Sequence, residues 1–408
     1  MEICVVGAGI VGLSSAWFLH RAGHRVTVVD QAPGPGMGAV AGNGAQLSYS
    51  YVQPLADPSL LPGIPKLLLD RSGPLRFTPQ WSPEQWRWCM EFLAACRTSV
   101  SRQTTVELLA LATESRLALE AFMQAQPLDC DFTRTGKLVL YPDAEGLDKA
   151  QNQLRFQAGL GSRQQVVSAS EAVAIEPALA GYQSAFHGAI HTDSECAVDG
   201  LKLCREMARI MAGEGVRLLF DRKVEGFQRR GGRITALNLR HAQEGAEVLH
   251  SEAVVLAAGA YSTGLLAQLG SRLPVYPLKG YSITLPITEH TRAPTVSITD
   301  MRRKTVFARI GDRLRVAGMV ELCGMDASIP AARIEQLQAS TEALFGDGWN
   351  TDDCQPWSGW RPATPTGRPV LERLAGNLYV NTGHGALGMT LAFGSAQRLV
   401  RLVEHAAG

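Results

Sequence analysis

The apolar and polar positions at the start of the chain follow two different periods. Residues 3–6 and 25–29 are short apolar runs of the length of buried strands, and residues 12–22 place apolar side chains at helical spacing between them. Gly23 lies where the helical pattern stops, which is typical of a helix end. The pattern therefore predicts a strand, a helix and a second strand that ends at Asp30.

The rest of the pattern predicts loops, a long helical region and several groups of strands. Residues 34–65 are rich in Pro and Gly and predict loops and short turns, whereas residues 82–126 keep a helical spacing. Ser82, followed three residues later by Gln85, resembles a capping box. The further predictions, in chain order, are a strand at 136–142, an amphipathic helix at 201–215 ended by Gly213 and Gly215, strands and turns over 216–258 with an apolar strand at 254–258, antiparallel strands over 276–322 with a turn at Gly311 and Asp312, and a strand, a glycine loop and a helix over 377–405.

Three glycines between the first strand and the first helix have the spacing GxGxxG. Gly7 permits a tight turn, Gly9 lets the backbone approach a pyrophosphate, and Gly12 lets the helix pack closely on the strand. The helix N-terminus adds free N–H groups and the positive end of the helix dipole. Asp30, about 20 residues further on, is placed to accept hydrogen bonds from a ribose. Strand, glycines, helix, strand and acid together predict a dinucleotide site.

These elements predict an α/β protein with two domains. An apolar strand in the middle of the chain is of the kind that returns to a parallel sheet, and the chain ends on another strand and helix. We therefore expect a discontinuous Rossmann-type dinucleotide-binding domain from residues 1–50, 187–268 and 350–408. An inserted α+β substrate domain, built on an antiparallel sheet, is expected from residues 51–186 and 269–349.

Composition and charge narrow the functional classes. The 408 residues favour two domains, and a net charge of +1 without any Lys/Arg block argues against a nucleic-acid partner. The eight cysteines form no CxxC pair, which argues against a zinc ribbon or a disulfide scaffold. His187 and His191 resemble ordinary strand histidines more than a helical metal pair, because Gly188 and its surroundings favour a strand. No metal site is expected.

A cytoplasmic location is expected from the absence of two signals. The first strand follows Met1 directly, and no apolar run has the length that crosses a bilayer. Trp is frequent in residues 80–93, and Trp suits membrane interfaces, so peripheral contact with the inner face of the cytoplasmic membrane is an alternative. Burial of these residues in the core is the interpretation we favour.

A second glycine motif, GHGALG at 383–388, follows the last predicted strand. The chain ends at residue 408, too soon for a further strand and acid, so this motif is not expected to form a second nicotinamide site. It is expected to direct a helix N-terminus at a group that becomes negative, such as the N1 and C2 carbonyl of a reduced flavin. A plain helix start is the alternative.

The motifs, taken in order, resemble the D-amino-acid oxidase superfamily of FAD-dependent oxidoreductases. They are the N-terminal GxGxxG, "ANGAQLS", "VVLAAGAYS", "PVYPLKGYS", "GWRPATPTGRPV" and "NTGHGALGMTLAFGSA". Within the superfamily, the chain is similar over essentially its whole length to the bacterial D-amino-acid dehydrogenase branch. "YPLKGYS" and "NTGHG-LG-T" are specific to that branch and its near relatives, whereas GxGxxG is not.

The resemblance implies that the discontinuous domain is a Rossmann-type FAD-binding domain. Non-covalent FAD is expected, because the cysteines lack the sequence context of covalent flavin attachment. The resemblance places the flavin ring near residues 43–46 and 383–390, and the adenine at the backbone of Val224. The residues implied in FAD binding are Gly7, Ala8, Gly9, Ile10, Val11, Gly12, Asp30, Gln31, Asn43, Gly44, Ala45, Gln46, Val224, Ala258, Gly259, Gly383, His384, Gly385, Leu387, Gly388 and Thr390.

The chain departs from the branch in three places. Residues 43–46 read Asn-Gly-Ala-Gln where the branch has Asn-Ala-Gly-Gln, Thr366 replaces an Asp that is usual before Gly, and the chain ends soon after the last helix. The first departure lies close to the expected flavin position. It is therefore the one expected to alter the substrate.

The resemblance also implies the chemistry, which is oxidation of an amino acid at Cα to an imine that water hydrolyses to a 2-oxo acid. Arg361 matches the arginine that binds the substrate carboxylate, and the alternative for it is a salt bridge within the loop between domains. Tyr281 is expected to face the flavin and to give the carboxylate a second hydrogen bond. Tyr51 is expected to close over the substrate as a lid. Packing in the core is the alternative role of both tyrosines.

The expected function is an FAD-dependent D-amino-acid dehydrogenase that passes electrons to a quinone or to a protein acceptor. Substrates of the D-proline or hydroxy-D-proline type are included. One alternative is an oxygen-using oxidase of the glycine or sarcosine oxidase type. Another is a flavin subunit that works with partner subunits in a larger electron-transfer complex. The presence of both Arg361 and Tyr281 argues against a relay subunit, because electron relay needs no carboxylate site.

Overall fold

The computed structural model describes residues 1–64 and 73–407. Within these residues the strands are, in chain order, β1 (Glu2–Val6), β2 (Arg25–Val29), β3 (Gln46–Leu47), β4 (Leu75–Phe77), β5 (Lys137–Tyr141), β6 (Gln165–Ser168), β7 (Gly188–Thr192), β8 (Cys196–Ala197), β9 (Arg217–Leu219), β10 (Arg222–Arg230), β11 (Arg233–His241), β12 (Gly245–His250), β13 (Ala253–Leu256), β14 (Tyr276–Pro286), β15 (Ser297–Asp300), β16 (Thr305–Ile310), β17 (Arg313–Leu322), β18 (Gln355–Ala363), β19 (Val370–Ala375) and β20 (Leu378–Thr382). The α-helices are α1 (Ile10–Arg21), α2 (Pro83–Ala95), α3 (Thr98–Ala125), α4 (Ala144–Ala158), α5 (Ala169–Ile175), α6 (Gly200–Gly213), α7 (Ser262–Ala267), α8 (Ala331–Phe345) and α9 (Gly388–Ala407).

The N-terminal strand–helix–strand unit lies in a six-stranded sheet with the order β19-β20-β13-β1-β2-β9. The pairs β1–β2 and β1–β13 are parallel, so β1 is a central strand. Its apolar run follows from this position, since both faces of a central parallel strand are buried. The predicted order is confirmed, although α1 begins at Ile10, two residues before the predicted start. Gly23 follows α1 with a φ of 85°, a backbone conformation that glycine adopts without strain.

The second large sheet has nine strands, in the order β18-β14-β17-β16-β15-β5-β7-β6, with β4 paired to β17. It is mainly antiparallel, as predicted, but the pairs β5–β15 and β4–β17 are parallel. The predicted turn at Gly311 and Asp312 joins β16 to β17, and Gly311 has a φ of 61°. A third sheet, β10-β11-β12, packs its apolar side chains against the six-stranded sheet.

Two strands belong to a different sheet from the one that the expected boundaries imply. β7 lies within 187–268 and β18 within 350–408, yet both pair in the nine-stranded sheet. α3, from the expected substrate segment, instead covers the six-stranded sheet, where Phe122 contacts Phe393 of α9 with a ring separation of 5.6 Å. Hydrophobic periodicity shows that a segment is a strand or a helix, but it does not show which neighbour the segment packs against.

Three local features of the chain differ in detail from the predicted pattern. The helical region 82–126 is broken into α2 and α3 at Cys96 and Arg97. The Ser82 hydroxyl accepts a hydrogen bond from the Gln85 N–H, but the Gln85 side chain accepts from the Gln80 N–H, so the capping box is only half formed. As far as Ile64, the loop region contains the short strand β3 and a single 3₁₀ segment, and Pro65 lies outside the described residues.

None of the helices among residues 1–64 and 73–407 is both long and apolar enough to cross a bilayer.

Candidate active site

A cavity of about 1430 Å³ lies between the six-stranded and nine-stranded sheets. Its wall includes Gly9 of the first glycine motif, Gln46 of β3, Gly280 of β14, Arg361 of β18 and Thr390 of α9. The cavity is larger than the roughly 300–1,000 Å³ that holds one drug-sized ligand, so it has room for a dinucleotide and a small substrate together. Both glycine motifs and the expected substrate residues therefore border one space.

The first glycine motif has the close contacts that its spacing predicts. A Cβ at Gly12 would lie 1.8 Å from the Gly7 carbonyl oxygen, and one at Gly7 would lie 2.6 Å from the Ala257 carbonyl oxygen. A Cβ at Gly9, in contrast, would have no atom within 4 Å, so a side chain there would extend into the cavity. This is a cradle that a side chain would fill, and it fits a pyrophosphate that lies on the loop.

The Asp30 carboxylate accepts hydrogen bonds from two backbone N–H groups, one of them in the glycine loop. One carboxylate oxygen accepts from the Ala8 N–H at 2.6 Å and the other from the Ala32 N–H at 2.8 Å. Burial raises the pKa of Asp30, and these backbone donors oppose the rise. Asp30 also lines the cavity, together with Val224 on β10 and Ala258 and Gly259 after β13. Asp30, Val224, Ala258 and Gly259 therefore border one cavity, and the contacts of the ribose and the adenine remain predictions.

Residues 43–46 lie against the nine-stranded sheet. The Gln46 amide donates to the carbonyl oxygens of Ile298 and Phe307, at 3.0 and 3.1 Å. A Cβ at Gly44 would lie 2.8 Å from Cγ2 of Val306, whereas Ala45 has a φ of 57°. The departure from Asn-Ala-Gly-Gln thus has a steric explanation at position 44, because a methyl group there would overlap with Val306. Ala45 occupies the left-handed conformation that glycine prefers.

The second glycine motif leads into α9. Gly383 and Gly385 have φ of 82° and 54°, and α9 begins at Gly388. The His384 Nε2 atom lies 3.0 Å from the Ser395 hydroxyl, and burial lowers the pKa of His384 to about 4. The imidazole is therefore neutral at physiological pH, which makes it a poor candidate for a base that gains a proton during the reaction.

Several buried polar atoms on the cavity wall have no hydrogen-bond partner among the described residues. They are Thr299 Oγ1, Trp360 Nε1, Asn381 Oδ1 and His384 Nδ1. Buried polar groups are normally satisfied by protein, water or ligand. A polar cofactor and its substrate in the cavity could form hydrogen bonds with these unpaired donors and acceptors. The residues present therefore fit a bound FAD.

Arg361 extends from β18 into the cavity. Its Nη1 atom donates to the Met319 carbonyl oxygen at 2.9 Å, and among the described residues no carboxylate forms an ion pair with it. Burial lowers the pKa of Arg361 to about 10, which leaves the guanidinium charged at neutral pH. The guanidinium lies on Gly280, where a Cβ would be 2.2 Å from Nη1. The salt bridge considered as an alternative for Arg361 is therefore not formed among the described residues.

Tyr281 and Tyr51 have contacts that the sequence did not predict. The Tyr281 hydroxyl donates to Glu321 at 2.8 Å, and its ring packs in the cluster beneath α8. Side chains alternate along a strand, so Gly280 faces Arg361 whereas the Tyr281 hydroxyl is held on the other side. The hydroxyl is therefore already bound to a carboxylate. The Tyr51 hydroxyl lies 3.6 Å from Met301 Sδ, and its ring lines the cavity, where burial raises its pKa.

Sequence reasoning missed Lys137, which also lines the cavity. Its side chain is only 3% exposed, and its Nζ atom donates to the Ser48 hydroxyl at 2.8 Å and lies 4.6 Å from the centre of the Tyr51 ring. The only signal in the sequence is a lysine at the start of the apolar strand "KLVLY". A buried lysine is rare enough to be a functional candidate.

Fold and site together define a flavin-dependent oxidoreductase with a Rossmann-type sheet and a second, largely antiparallel sheet over the cofactor cavity. The model of the FAD dependent oxidoreductase family matches residues 2–402, and the chain belongs to this family. The family prediction made from the motifs is confirmed, and with it the prediction of FAD as the cofactor.

The chain is similar over its full length to several bacterial D-amino acid dehydrogenases. D-amino acid dehydrogenase 2 of Ralstonia nicotianae is 46% identical, with 100% of this chain and 97% of that protein covered. D-amino acid dehydrogenase 2 of Pseudomonas aeruginosa is 41% identical, with 98% and 94% covered. D-amino acid dehydrogenase of Paramagnetospirillum magneticum is 38% identical, with 99% and 95% covered.

Solved structures of lower identity share the fold. Glycine oxidase from Geobacillus kaustophilus has a TM-score of 0.75 at 22% identity, and 99% of this chain and 94% of that one are covered. L-proline dehydrogenase from P. horikoshii has a TM-score of 0.74 at 17% identity, with 99% and 93% covered. These structures confirm the predicted combination of a parallel and a mainly antiparallel sheet.

Proposed function

We propose that this chain is an FAD-dependent D-amino-acid dehydrogenase. The observation that carries the proposal is Arg361, a charged guanidinium that faces the cavity without a carboxylate partner among the described residues. A fixed guanidinium suits a substrate carboxylate, because its planar fork binds both oxygens at once. The full-length similarity to proteins named D-amino acid dehydrogenase supports the choice of substrate class.

In this proposal the protein's task is to hold the amino acid in one orientation. When bound, FAD accepts the hydride that leaves the Cα of the amino acid. Arg361 binds the carboxylate, and Gly280 and the Met319 carbonyl oxygen fix the guanidinium on the wall of the cavity. When the reactants are held in this orientation, a bimolecular reaction becomes effectively unimolecular. This effect accounts for a large part of enzymatic rate enhancement.

No proton acceptor is assigned to the substrate amine. His384 is a neutral imidazole whose Nε2 atom is bound to Ser395, and the Tyr281 hydroxyl is bound to Glu321. We therefore propose that the amine reacts in its neutral form, so that no side chain has to remove a proton in the oxidation step. Tyr51, at the cavity wall beside Met301, is proposed to cover the substrate after it binds.

The proposed acceptor of the electrons is a quinone or a protein, with the enzyme in the cytoplasm and in peripheral contact with the inner face of the membrane. Support comes from α2 and the two residues before it, where large apolar side chains are exposed. Trp81 is fully exposed, and Trp86, Met90 and Leu93 are exposed at 49%, 66% and 40%. The favoured expectation of core burial holds for Trp88, which is buried, but not for these four. Sedimentation with anionic lipid vesicles tests the contact, and protein that stays in the supernatant at low salt would contradict it.

Anaerobic bleaching of the flavin by a panel of amino acids tests the substrate proposal. D-amino acids, including D-proline, should reduce the flavin, whereas their L-enantiomers should not. Quinones or dyes should reoxidise the enzyme faster than oxygen does. Lack of bleaching by every D-amino acid would refute the proposal, and stoichiometric peroxide at the rate of dye turnover would instead identify an oxygen-using oxidase.

A further inference from the structure

Lys137 is a buried cation that the proposed reaction does not yet use. It begins β5, in the interior of the nine-stranded sheet, and it lines the cavity. Its Nζ atom has three N–H donors, and among the described residues only the Ser48 hydroxyl accepts one of them. A buried ammonium with unused donors on a cavity wall is costly unless a ligand or a bound group compensates for it.

The charges near Lys137 keep it protonated without neutralising it by contact. Burial lowers the pKa of Lys137 to about 8, and Glu195 opposes this effect. Among the described residues Glu195 forms no ion pair with Lys137, and its two oxygens instead accept from the N–H groups of Tyr49 and Ser50, at 2.6 and 2.7 Å. The Tyr51 ring covers one side of the ammonium. The lysine is therefore mainly charged at neutral pH.

Ser48 connects Lys137 to both segments that are expected to hold the flavin. Ser48 directly follows β3, which contains Gln46, and its N–H donates to the Thr390 hydroxyl in the first turn of α9, at 3.2 Å. Gln46, Ser48, Lys137 and Thr390 all line the same cavity. The ammonium thus lies where the Asn-Gly-Ala-Gln segment meets the start of the last helix.

The alternative ligand of Lys137 is the side chain of an amino acid bound to Arg361. The order β18-β14-β17-β16-β15-β5 places five strand spacings between the two residues. At about 4.8 Å per spacing, their backbones are roughly 24 Å apart across the sheet, which is more than an amino acid and two extended side chains easily span. The flavin ring system is the ligand that fits the Lys137 end of the cavity.

We propose that Lys137 supplies a fixed positive charge that stabilises the reduced flavin and so raises the reduction potential of the bound FAD. Transfer of a hydride from Cα adds two electrons and one proton to the flavin, and at neutral pH this leaves the ring with one negative charge. The counterpart is the iminium form of the substrate, which carries the positive charge away. A nearby ammonium favours the charged product over the neutral oxidised ring. The inference requires only that FAD binds, and it does not depend on which amino acid is oxidised.

The test compares wild type with Lys137→Met and Lys137→Arg as purified holoproteins. Midpoint potentials measured against redox dyes, and the affinity of sulfite for the oxidised flavin, need no amino-acid substrate. Lys137→Met should lower the two-electron potential by at least about 30 mV, equivalent to a tenfold change in the equilibrium constant, and should weaken sulfite binding at least tenfold. Lys137→Arg should stay close to wild type in both. Lys202→Met, which removes a cation paired with Asp131 outside the cavity, should change neither.

If Lys137→Met is isolated without FAD, its apoprotein can be titrated with oxidised and with reduced FAD. The proposal then requires a larger loss of affinity for the reduced form. An unchanged potential, or an equal loss of affinity for both forms, would overturn it. A lowered potential in an enzyme that oxidises no D-amino acid would instead uphold this role of Lys137 and refute the proposed function.

Discussion

A single methyl group at Gly280 would displace Arg361 without removing it. The Cβ of Gly280→Ala would lie 2.2 Å from Nη1 and 2.4 Å from both Cζ and Nη2 of Arg361. Nonbonded heavy atoms prefer about 3.5–4.0 Å, so the guanidinium has to move by more than about 1 Å. The side chain is long, so its end can move away from the new methyl group by giving up its present contacts, and we expect the fold and the FAD content to persist.

The expected loss follows from the contact that the displaced guanidinium can no longer make. A charge-assisted hydrogen bond contributes about 1.5–3 kcal/mol, which corresponds to a decrease of roughly 10- to 150-fold in kcat/KM for D-amino acids. Steady-state turnover with an artificial dye measures it, and benzoate binding, followed in the flavin spectrum, should weaken in parallel. Gly181→Ala is the matched control, because its Cβ would have no atom within 4 Å.

A double variant separates displacement of Arg361 from general damage. If Gly280 acts only through Arg361, the loss in Gly280→Ala/Arg361→Ala should equal that in Arg361→Ala alone, because the two substitutions remove one interaction. Turnover and benzoate affinity of Gly280→Ala within about threefold of wild type would refute the reasoning, since a tenfold loss is only about 1.4 kcal/mol.

The remaining predictions concern three other positions. Gly9→Val should fold but lose FAD, because its side chain would enter the cavity without touching the protein, and visible absorbance measures this; full flavin occupancy would contradict it. Arg361→Ala should lower kcat/KM about 10- to 150-fold at unchanged FAD content, and Arg361→Lys should recover little of it, since an ammonium lacks the planar fork; near-normal turnover with either would be a contrary result. The folded-state pKa of Lys137, about 8, is below the unfolded value of 10.5. At pH 7 the burial of the charged lysine therefore lowers the free energy of unfolding by about 3 kcal/mol. Lys137→Met should therefore raise the thermal stability of the apoprotein at pH 7. This gain should shrink as pH rises from 8 to 10.5, because the lysine of the folded wild type loses its charge over this range. A gain that is absent or independent of pH would count against a charged, buried Lys137.

The parts of the fold that depend on local sequence could be predicted, and those that depend on distant pairing could not. The glycine turn before α1 is determined by residues adjacent in the chain, since Gly12 needs its small size against Gly7. The placement of β18 beside β14 depends on residues about 80 positions apart, and neither strand's own pattern identifies its neighbour. The sequence could therefore predict which motifs border the cavity, but it could not predict how the strands around them are arranged.

The candidate site shows the same limit at the level of single side chains. Arg361 could be proposed from the sequence because its Pro-rich surroundings and its motif are both local. The orientation of Tyr281 depends on its position on β14 and on an irregularity of the ladder between Lys279 and Tyr281. Lys137 was missed because its hydrogen-bond acceptor, Ser48, lies 89 residues away in the chain. The residues next to Lys137 in the sequence give no sign of this contact.

The exchange of glycine and alanine at positions 44 and 45 also restricts the order in which the two residues can be replaced. With Val306 in place, alanine at position 44 meets a side chain at 2.8 Å, so alanine at both positions combines that overlap with the left-handed backbone of Ala45. Glycine at both positions has neither problem. Its only cost is a higher conformational entropy of the unfolded chain, which lowers stability slightly. Of the two single replacements, Ala45→Gly therefore meets no steric obstacle, whereas Gly44→Ala requires a smaller residue at position 306 or a shift of Val306.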